Sequence, residues 1–202
     1  MDIDAFMRDP LSRRRFFRLS GVSVVGSSAV FLTACGGQGS GGANDQNSDQ
    51  NSDVSEPGSG DVALLNAALD LENTAVAAYT AGAPLLKGDA LAYGKQFLEH
   101  EQEHVAGLTQ AIKDLGGRPN RKMEAYEFPE LRTQSDVLKF AVDLENTAVA
   151  AYIDVMPKLN GPDLRATAAA IVTNEAEHIS VLLGALGLPQ VPSAFVTGEV
   201  SA

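Results

Sequence analysis

Asp70–Tyr79 reads DLENTAVAAY, and Asp143–Tyr152 repeats it letter for letter, an offset of 73 residues. About thirty residues after each copy comes a Glu-x-x-His, first Glu101–His104 and then Glu175–His178. By this point the offset is 74, so one residue has slipped in the connection. Pro84, Leu86, Gly88 and Leu91 also match Pro157, Leu159, Gly161 and Leu164. The repeated unit is therefore a helical hairpin rather than one helix.

Apolar residues at three- and four-residue steps predict four helices. The first carries Leu65, Ala68, Leu69, Glu72, Ala75, Val76 and Tyr79 on one face. The second carries Phe97, Glu101, His104, Val105, Leu108, Ile112 and Leu115. The third, with Leu138, Ala141, Val142, Glu145, Ala148, Val149 and Tyr152, copies the first. Leu164, Ala168, Ile171, Glu175, His178, Leu182 and Ala185 mark the fourth. Gly116-Gly117, Gly161-Pro162 and Gly187 with Pro189 punctuate the pattern. No stretch alternates as a strand would. The links inside each hairpin are short, and the link between hairpins is long. An up-down pair, a long crossover and a second pair make an all-α antiparallel four-helix bundle.

Charged residues stand on the apolar stripes, and this is where the chemistry enters. Glu72, Glu101, Glu145 and Glu175 occupy core positions, as do His104 and His178. A Glu and a His three apart share one helix face. Buried ionised carboxylates cost several kcal/mol each unless paired or bound to metal. Four of them facing one another repel. Two cations remove both penalties, and a mixed carboxylate–imidazole set suits iron or manganese. The chain has only three His, two of them in these motifs. The alternative is a set of hydrogen-bonded pairs or a vestigial site in a duplicated bundle.

The pattern over about 61–188 resembles the ferritin-like di-metal carboxylate proteins: ferritins, bacterioferritins, rubrerythrins and manganese catalases. It is most similar to exported bacterial ferritin-like domain proteins. The resemblance implies two Fe ions, or two Mn ions. Glu101 and Glu175 would bridge them, Glu72 and Glu145 would be terminal carboxylates, and His104 and His178 terminal imidazoles. It also implies redox chemistry with O2 or H2O2, of ferroxidase, peroxidase or catalase type. Tyr79, seven residues after Glu72, matches a tyrosine near the metals in ferritins. It either hydrogen-bonds a ligand or donates an electron, or is a core tyrosine with a polar tip. Tyr152 repeats it.

Several neighbours of the motifs carry two readings. His100, one turn before His104, reads as a partly exposed helix histidine, with a supporting or access role as the alternative. Glu99, Glu103, Glu177, Asp70 and Asp143 lie off the stripes and read as solvated. Asn73-Thr74 and Asn146-Thr147 either orient the adjacent Glu or only mark the duplication.

The N-terminal third reads differently. Ser12-Arg13-Arg14-Arg15-Phe16-Phe17-Arg18 resembles the twin-arginine export motif. Gly21–Thr33 is apolar but too short to span a bilayer. Leu32-Thr33-Ala34-Cys35 resembles a lipobox, which implies lipidation of Cys35, the single cysteine; the alternative is plain cleavage near this point or an uncleaved anchor. Residues 36–60 contain no Leu, Ile, Phe or Tyr and cannot fold alone. Such a linker spans roughly 25–30 Å. The expected organisation is a signal segment at 1–34, a lipidated Cys and tether at 35–60, and a folded domain at 61–202 with hairpins at 61–117 and 134–188. That implies a lipid anchor at the outer side of the cytoplasmic membrane, in the cell envelope or periplasm. The tail after Pro189 would pack back through Val191, Phe195 and Val196.

The chain carries a formal charge of −11, and residues 1–34 hold five Arg against three Asp, so the remainder is more acidic still. This argues against nucleic acid as a partner. An apolar outer face would allow a homodimer. The leading functional expectation is a di-metal oxidoreductase. The alternatives are a non-catalytic metal-binding or stress-protection module and an envelope structural domain. Intact ligands favour metal binding over the last of these; they serve turnover and sequestration equally.

Overall fold

The computed structural model describes residues 59–123 and 125–202. The export motif, Cys35 and nearly all of the tether lie outside the described residues. Among the described residues the chain is helical, with α1 at Ser59–Gly82, α2 at Gly88–Asp114, α3 at Gln134–Val155 and α4 at Pro162–Ala185. No strand occurs among them. None of these helices is long and apolar enough to cross a membrane. The first helix starts two residues inside the stretch expected as tether, within ordinary end fraying.

Each hairpin turns through one short 3-10 segment, Ala83–Leu85 in the first and Met156–Lys158 in the second. Pro84 and Pro157 sit inside these turns, where a missing N–H costs nothing. The following leucines, Leu86 and Leu159, are buried and plug the ends of the bundle. The next helices start at Gly88 and Pro162, 74 residues apart, so the one-residue slip falls in the turn, and the Gly88/Gly161 and Leu91/Leu164 matches of the sequence are not equivalent positions in the helices.

The helix ends follow from local chemistry. Thr133 caps α3: its hydroxyl accepts from Asp136 N at 3.2 Å, and the Asp136 carboxylate accepts from Thr133 N at 2.9 Å. Past α2, Gly116 takes a positive φ of 73° and Gly117 N bonds back to Ile112 O at 2.9 Å. Past α4, Gly187 repeats that φ and Leu188 N bonds to Leu183 O at 2.9 Å. Both are αL stops that glycine adopts without a Cβ penalty.

The helices form a four-cornered bundle in which α1 contacts α2 and α3, and α4 contacts α3 and α2. Its core is divided. One apolar cluster holds Tyr79, Leu86, Phe97, Leu138, Val142, Ile179 and Leu182. The other holds Leu65, Leu69, Leu108, Ile112, Tyr152, Leu159 and Ile171. They fill opposite ends of the bundle, and the charged residues of the stripes lie between them. Ala75, Ala78 and Ala148 of the repeated decapeptides are buried, and such small side chains permit close approach of α1 and α3.

Different segments cover the two hairpins from outside. The crossover, 115–133, lies on α1: Asn120 donates from its backbone to Asn66 at 2.6 Å and from its side chain to Asp70 at 2.8 Å. Asp70 is thus half-buried rather than solvated; burial raises its carboxyl pKa and the Asn120 bond opposes that. Asp143 is likewise partly buried. The C-terminal tail lies on α3, but not through the residues expected. Val191 and Phe195 are 81% and 80% exposed. The attachment is instead at Val200, whose side chain packs against the core and whose backbone forms an amide pair, Asn146 Nδ2 to Val200 O at 2.7 Å and Val200 N to Asn146 Oδ1 at 3.1 Å. Gly198 makes the close approach possible. Its φ is +80°, and a Cβ there would lie 2.4 Å from Asn146 O.

Candidate metal centre

Glu72, Glu101, Glu145 and Glu175 are at most 1% exposed, in the charged layer between the two apolar clusters. Their positions follow from the helices that carry them. Glu72 and Glu145 project from α1 and α3, while Glu101/His104 and Glu175/His178 project from α2 and α4. All six sequence-predicted residues meet here.

They form two overlapping groups. Ligand atoms of Glu72, Glu101, His104 and Glu175 lie within 4.8 Å of one another, and so do those of Glu101, Glu145, Glu175 and His178. Glu101 and Glu175 belong to both. His104 Nδ1 lies 3.1 Å from Glu175, 3.4 Å from Glu72 and 3.5 Å from Glu101. His178 Nδ1 lies 3.1 Å from Glu175, 3.3 Å from Glu101 and 3.4 Å from Glu145. These are approaches of charge rather than aligned hydrogen bonds. Among the described residues, the buried side-chain atoms that lack any hydrogen-bond partner are both oxygens of Glu101, both of Glu175, Glu145 Oε2, and Nδ1 of His104 and of His178. Every one of them lies in this layer. Folded proteins pair nearly all buried polar atoms, so such a concentration marks a place built around something else.

The electrostatics agree. Burial raises Glu101 to about 7; the two imidazoles oppose this, and Glu175 and Glu72 add to it. Glu175 is raised by burial and by Glu145, and Glu145 by burial and by Glu101. Burial alone would lower His104, but Glu101, Glu175 and Glu72 beside it push it up to about 12. His178 is carried to about 11 in the same way, by Glu101, Glu145 and Glu175 against burial. Without cations, the layer retains protons that water would remove.

The tyrosines make crossed bonds. Tyr79 donates to Glu145 Oε1, and Tyr152 donates to Glu72 Oε1. Each tyrosine thus serves the glutamate of the other repeat, two turns away from its own. This reciprocity requires α1 and α3 to run antiparallel. Burial first, and then the bonded glutamate, raises both phenols well above their usual pKa, so they remain donors at neutral pH.

The remaining neighbours fall into two sets. Asn73 and Asn146 donate to Leu69 O and Val142 O, both at 2.9 Å, and Thr74 and Thr147 bond back to Asp70 O and Asp143 O. These side chains bond their own helix, Asn146 the tail as well, and none of these bonds goes to the glutamates. Glu99, Glu103 and Glu177 are exposed, as expected. His100 is more than a partly exposed helix residue: its Nδ1 lies 3.0 Å from His178 Nε2. The clue in the sequence is that the one histidine outside the two motifs stands one turn from a ligand-type histidine.

The ferritin-like domain family matches residues 60–188 of this chain. Among solved structures, a conserved hypothetical protein of Mycobacterium tuberculosis is 20% identical with a TM-score of 0.61, over 64% of this chain and 98% of its own. A ferritin-like, diiron-carboxylate protein of Bacillus anthracis is 22% identical with a TM-score of 0.56, over 62% of this chain and 94% of its own. No curated protein matches. The chain belongs to the ferritin-like domain family, and carries in its bundle two carboxylate–imidazole groups of metal-binding type.

Proposed function

We propose that this chain is an exported, membrane-tethered ferritin-like protein that holds two iron or two manganese ions and reacts with O2 or peroxide. The observation that carries the reading is the set of unpartnered buried oxygens and nitrogens on Glu101, Glu145, Glu175, His104 and His178. Four carboxylates and two imidazoles are donors of the kind iron and manganese take. Glu101 and Glu175, shared by both groups, would bridge the two ions. Glu72 with His104, and Glu145 with His178, would supply the terminal ligands.

A carboxylate-bridged pair of such ions supplies two-electron redox chemistry toward O2 or peroxide. The protein's own part is to hold and to exclude. Tyr79 occupies one oxygen of Glu145 and leaves Oε2 for a cation. Tyr152 does the same for Glu72, whose Oε2 faces His104. The apolar clusters at both ends keep bulk water from the layer, which strengthens every charge interaction inside it. Oxidation of Fe(II) as substrate, peroxide reduction and peroxide disproportionation all suit this setting. The twin-arginine-like Ser12–Arg18 and the Leu32–Cys35 lipobox-like motif support export and a lipid tether.

The test is metal analysis of the full chain after anaerobic loading, followed by optical spectra under O2 and under H2O2. About two ions per chain are expected. Less than about half an equivalent would overturn the reading. The spectra then separate iron from manganese, and oxidase from catalase chemistry.

A further inference from the structure

The ligand layer is nearly twofold symmetric, but its surroundings are not. His178 is 1% exposed, and its ring is held on two sides. Phe97 packs against it with centroids 4.1 Å apart. His100 lies within 12° of its plane with centroids 5.3 Å apart, and the nitrogens meet at 3.0 Å. Parallel rings joined by such a bond lie edge to edge, not face to face. His104 is 12% exposed. The positions on α4 that match Phe97 and His100 at the 74-residue offset are Ile171 and Asn174. Asn174 donates to Glu177 on its own helix instead, at 3.3 Å. Among the described residues no hydrogen bond holds the far nitrogen of His104.

We propose that His100 is a positioning residue that fixes the His178 ring with Nδ1 toward the carboxylates, and so makes the Glu145/His178 position the tighter of two unequal metal positions. This rests on the metal reading above. The chemistry follows from the tautomer. An imidazole that gives its Nδ1 lone pair to a cation carries its proton on Nε2. His178 Nε2–H then donates to His100 Nδ1, which accepts. The bond fixes both tautomer and ring orientation, and it raises the basicity of the ligating nitrogen. The His104 position has neither the acceptor nor the aromatic wall. It is the position that exchanges its ion with solvent.

The experiment is an anaerobic titration of the full chain with Mn(II), with free Mn(II) read by EPR. The wild type is expected to bind two ions with unequal affinity. His100→Ala should weaken one of them by roughly 10–100-fold, and Asn174→Ala neither. His100→Gln, whose amide oxygen can accept the same bond, should recover most of the loss. The decisive readout is a cycle. In a His104→Ala background, His100→Ala should still weaken the remaining ion. In a His178→Ala background it should cost nothing further. Equal losses in both backgrounds would mean a general structural role and would overturn the proposal, as would two ions at wild-type affinity in His100→Ala. If alanine leaves too large a void to fold, His100→Leu fills it without an acceptor and is read the same way. A wild type that binds two ions beside an unchanged His100→Ala sinks only the role of His100. A wild type that binds none sinks the metal reading and this proposal with it.

Discussion

Helices α2 and α4 present the same Glu-x-x-His to the same layer, yet they differ in what stands behind it. On α2 the residues ahead of the motif are Tyr93, Phe97 and His100; on α4 the matching ones are Thr167, Ile171 and Asn174. Phe97 and His100 wall in the histidine of the opposite helix, with Tyr93 stacked on Phe97, and the second set leaves the other histidine partly open. The inward faces of the two hairpins have stayed alike and their flanks have diverged. Residues that would meet a cation are constrained by charge and distance. Residues behind the ligands would not meet a cation themselves, so they can differ between the halves and make them unequal.

The largest effect should come from the shared carboxylates, where the halves cannot differ. Glu101→Ala and Glu175→Ala should each abolish dinuclear binding, measured as ions per chain. Retention of two ions in either variant would refute the bridging assignment. Next comes pH, which acts on both halves with one sign. In the metal-free chain Glu101 is raised from 4.5 to about 7, and the histidines from 6.5 to about 12 and about 11. A raised pKa means the folded state holds protons that the unfolded state has lost, so each group contributes stability at low pH and loses it as pH rises. The Glu101 contribution fades between about 4.5 and 7, and the histidine contributions from about 6.5 to 11 or 12. Cations compete with those protons, so stabilisation by Mn(II) should grow over the same range. Thermal unfolding at about pH 5.5 and about pH 8.5, with and without Mn(II), checks both slopes. A metal-free chain that gains stability toward alkaline pH would contradict the charge balance described here.

The crossed phenols give a finer comparison. Tyr79→Phe and Tyr152→Phe each remove one bond to a buried carboxylate, and each should cost about 1.5–3 kcal/mol in urea unfolding of the metal-free chain. Unequal losses would show that the asymmetry reaches the inner layer. The smallest effect should lie outside. Asn146→Ala loses both bonds to Val200 and should free the tail to proteolysis at a stability cost of about 1 kcal/mol. Asn73→Ala, which loses only its bond to Leu69 O, should leave the tail protected.

Much of this was legible in the sequence because the chain states it twice. Glu72 on an apolar stripe is ambiguous, but Glu72 and Glu145 in identical decapeptides, each followed by Glu-x-x-His, define a bundle and the layer within it. What escaped was whatever depends on how helices meet. Periodicity puts Tyr79 on the face of Glu72, but two turns separate them along the helix, and only the antiparallel neighbour brings a carboxylate within reach. His100 lies beside the α2 stripe, and its partner is 78 residues away on α4. In the tail, apolar character alone points to Val191 and Phe195, whereas the anchor is Val200, whose backbone pairs with Asn146 and whose side chain packs against the core, with Gly198 allowing the close approach.

The exchange of tyrosines between repeats has a consequence for assembly. A single hairpin, folded alone, would hold a glutamate whose phenol is elsewhere and a phenol whose glutamate is elsewhere. Both needs are met by a second copy turned by half a revolution, which is the rule of an isologous dimer. The crossover at 115–133 does the work of a covalent seam across such an interface. Once that seam existed, the two subunits of the pair could mutate independently, and the difference between His100 and Asn174 is of a kind that no symmetric homodimer could keep.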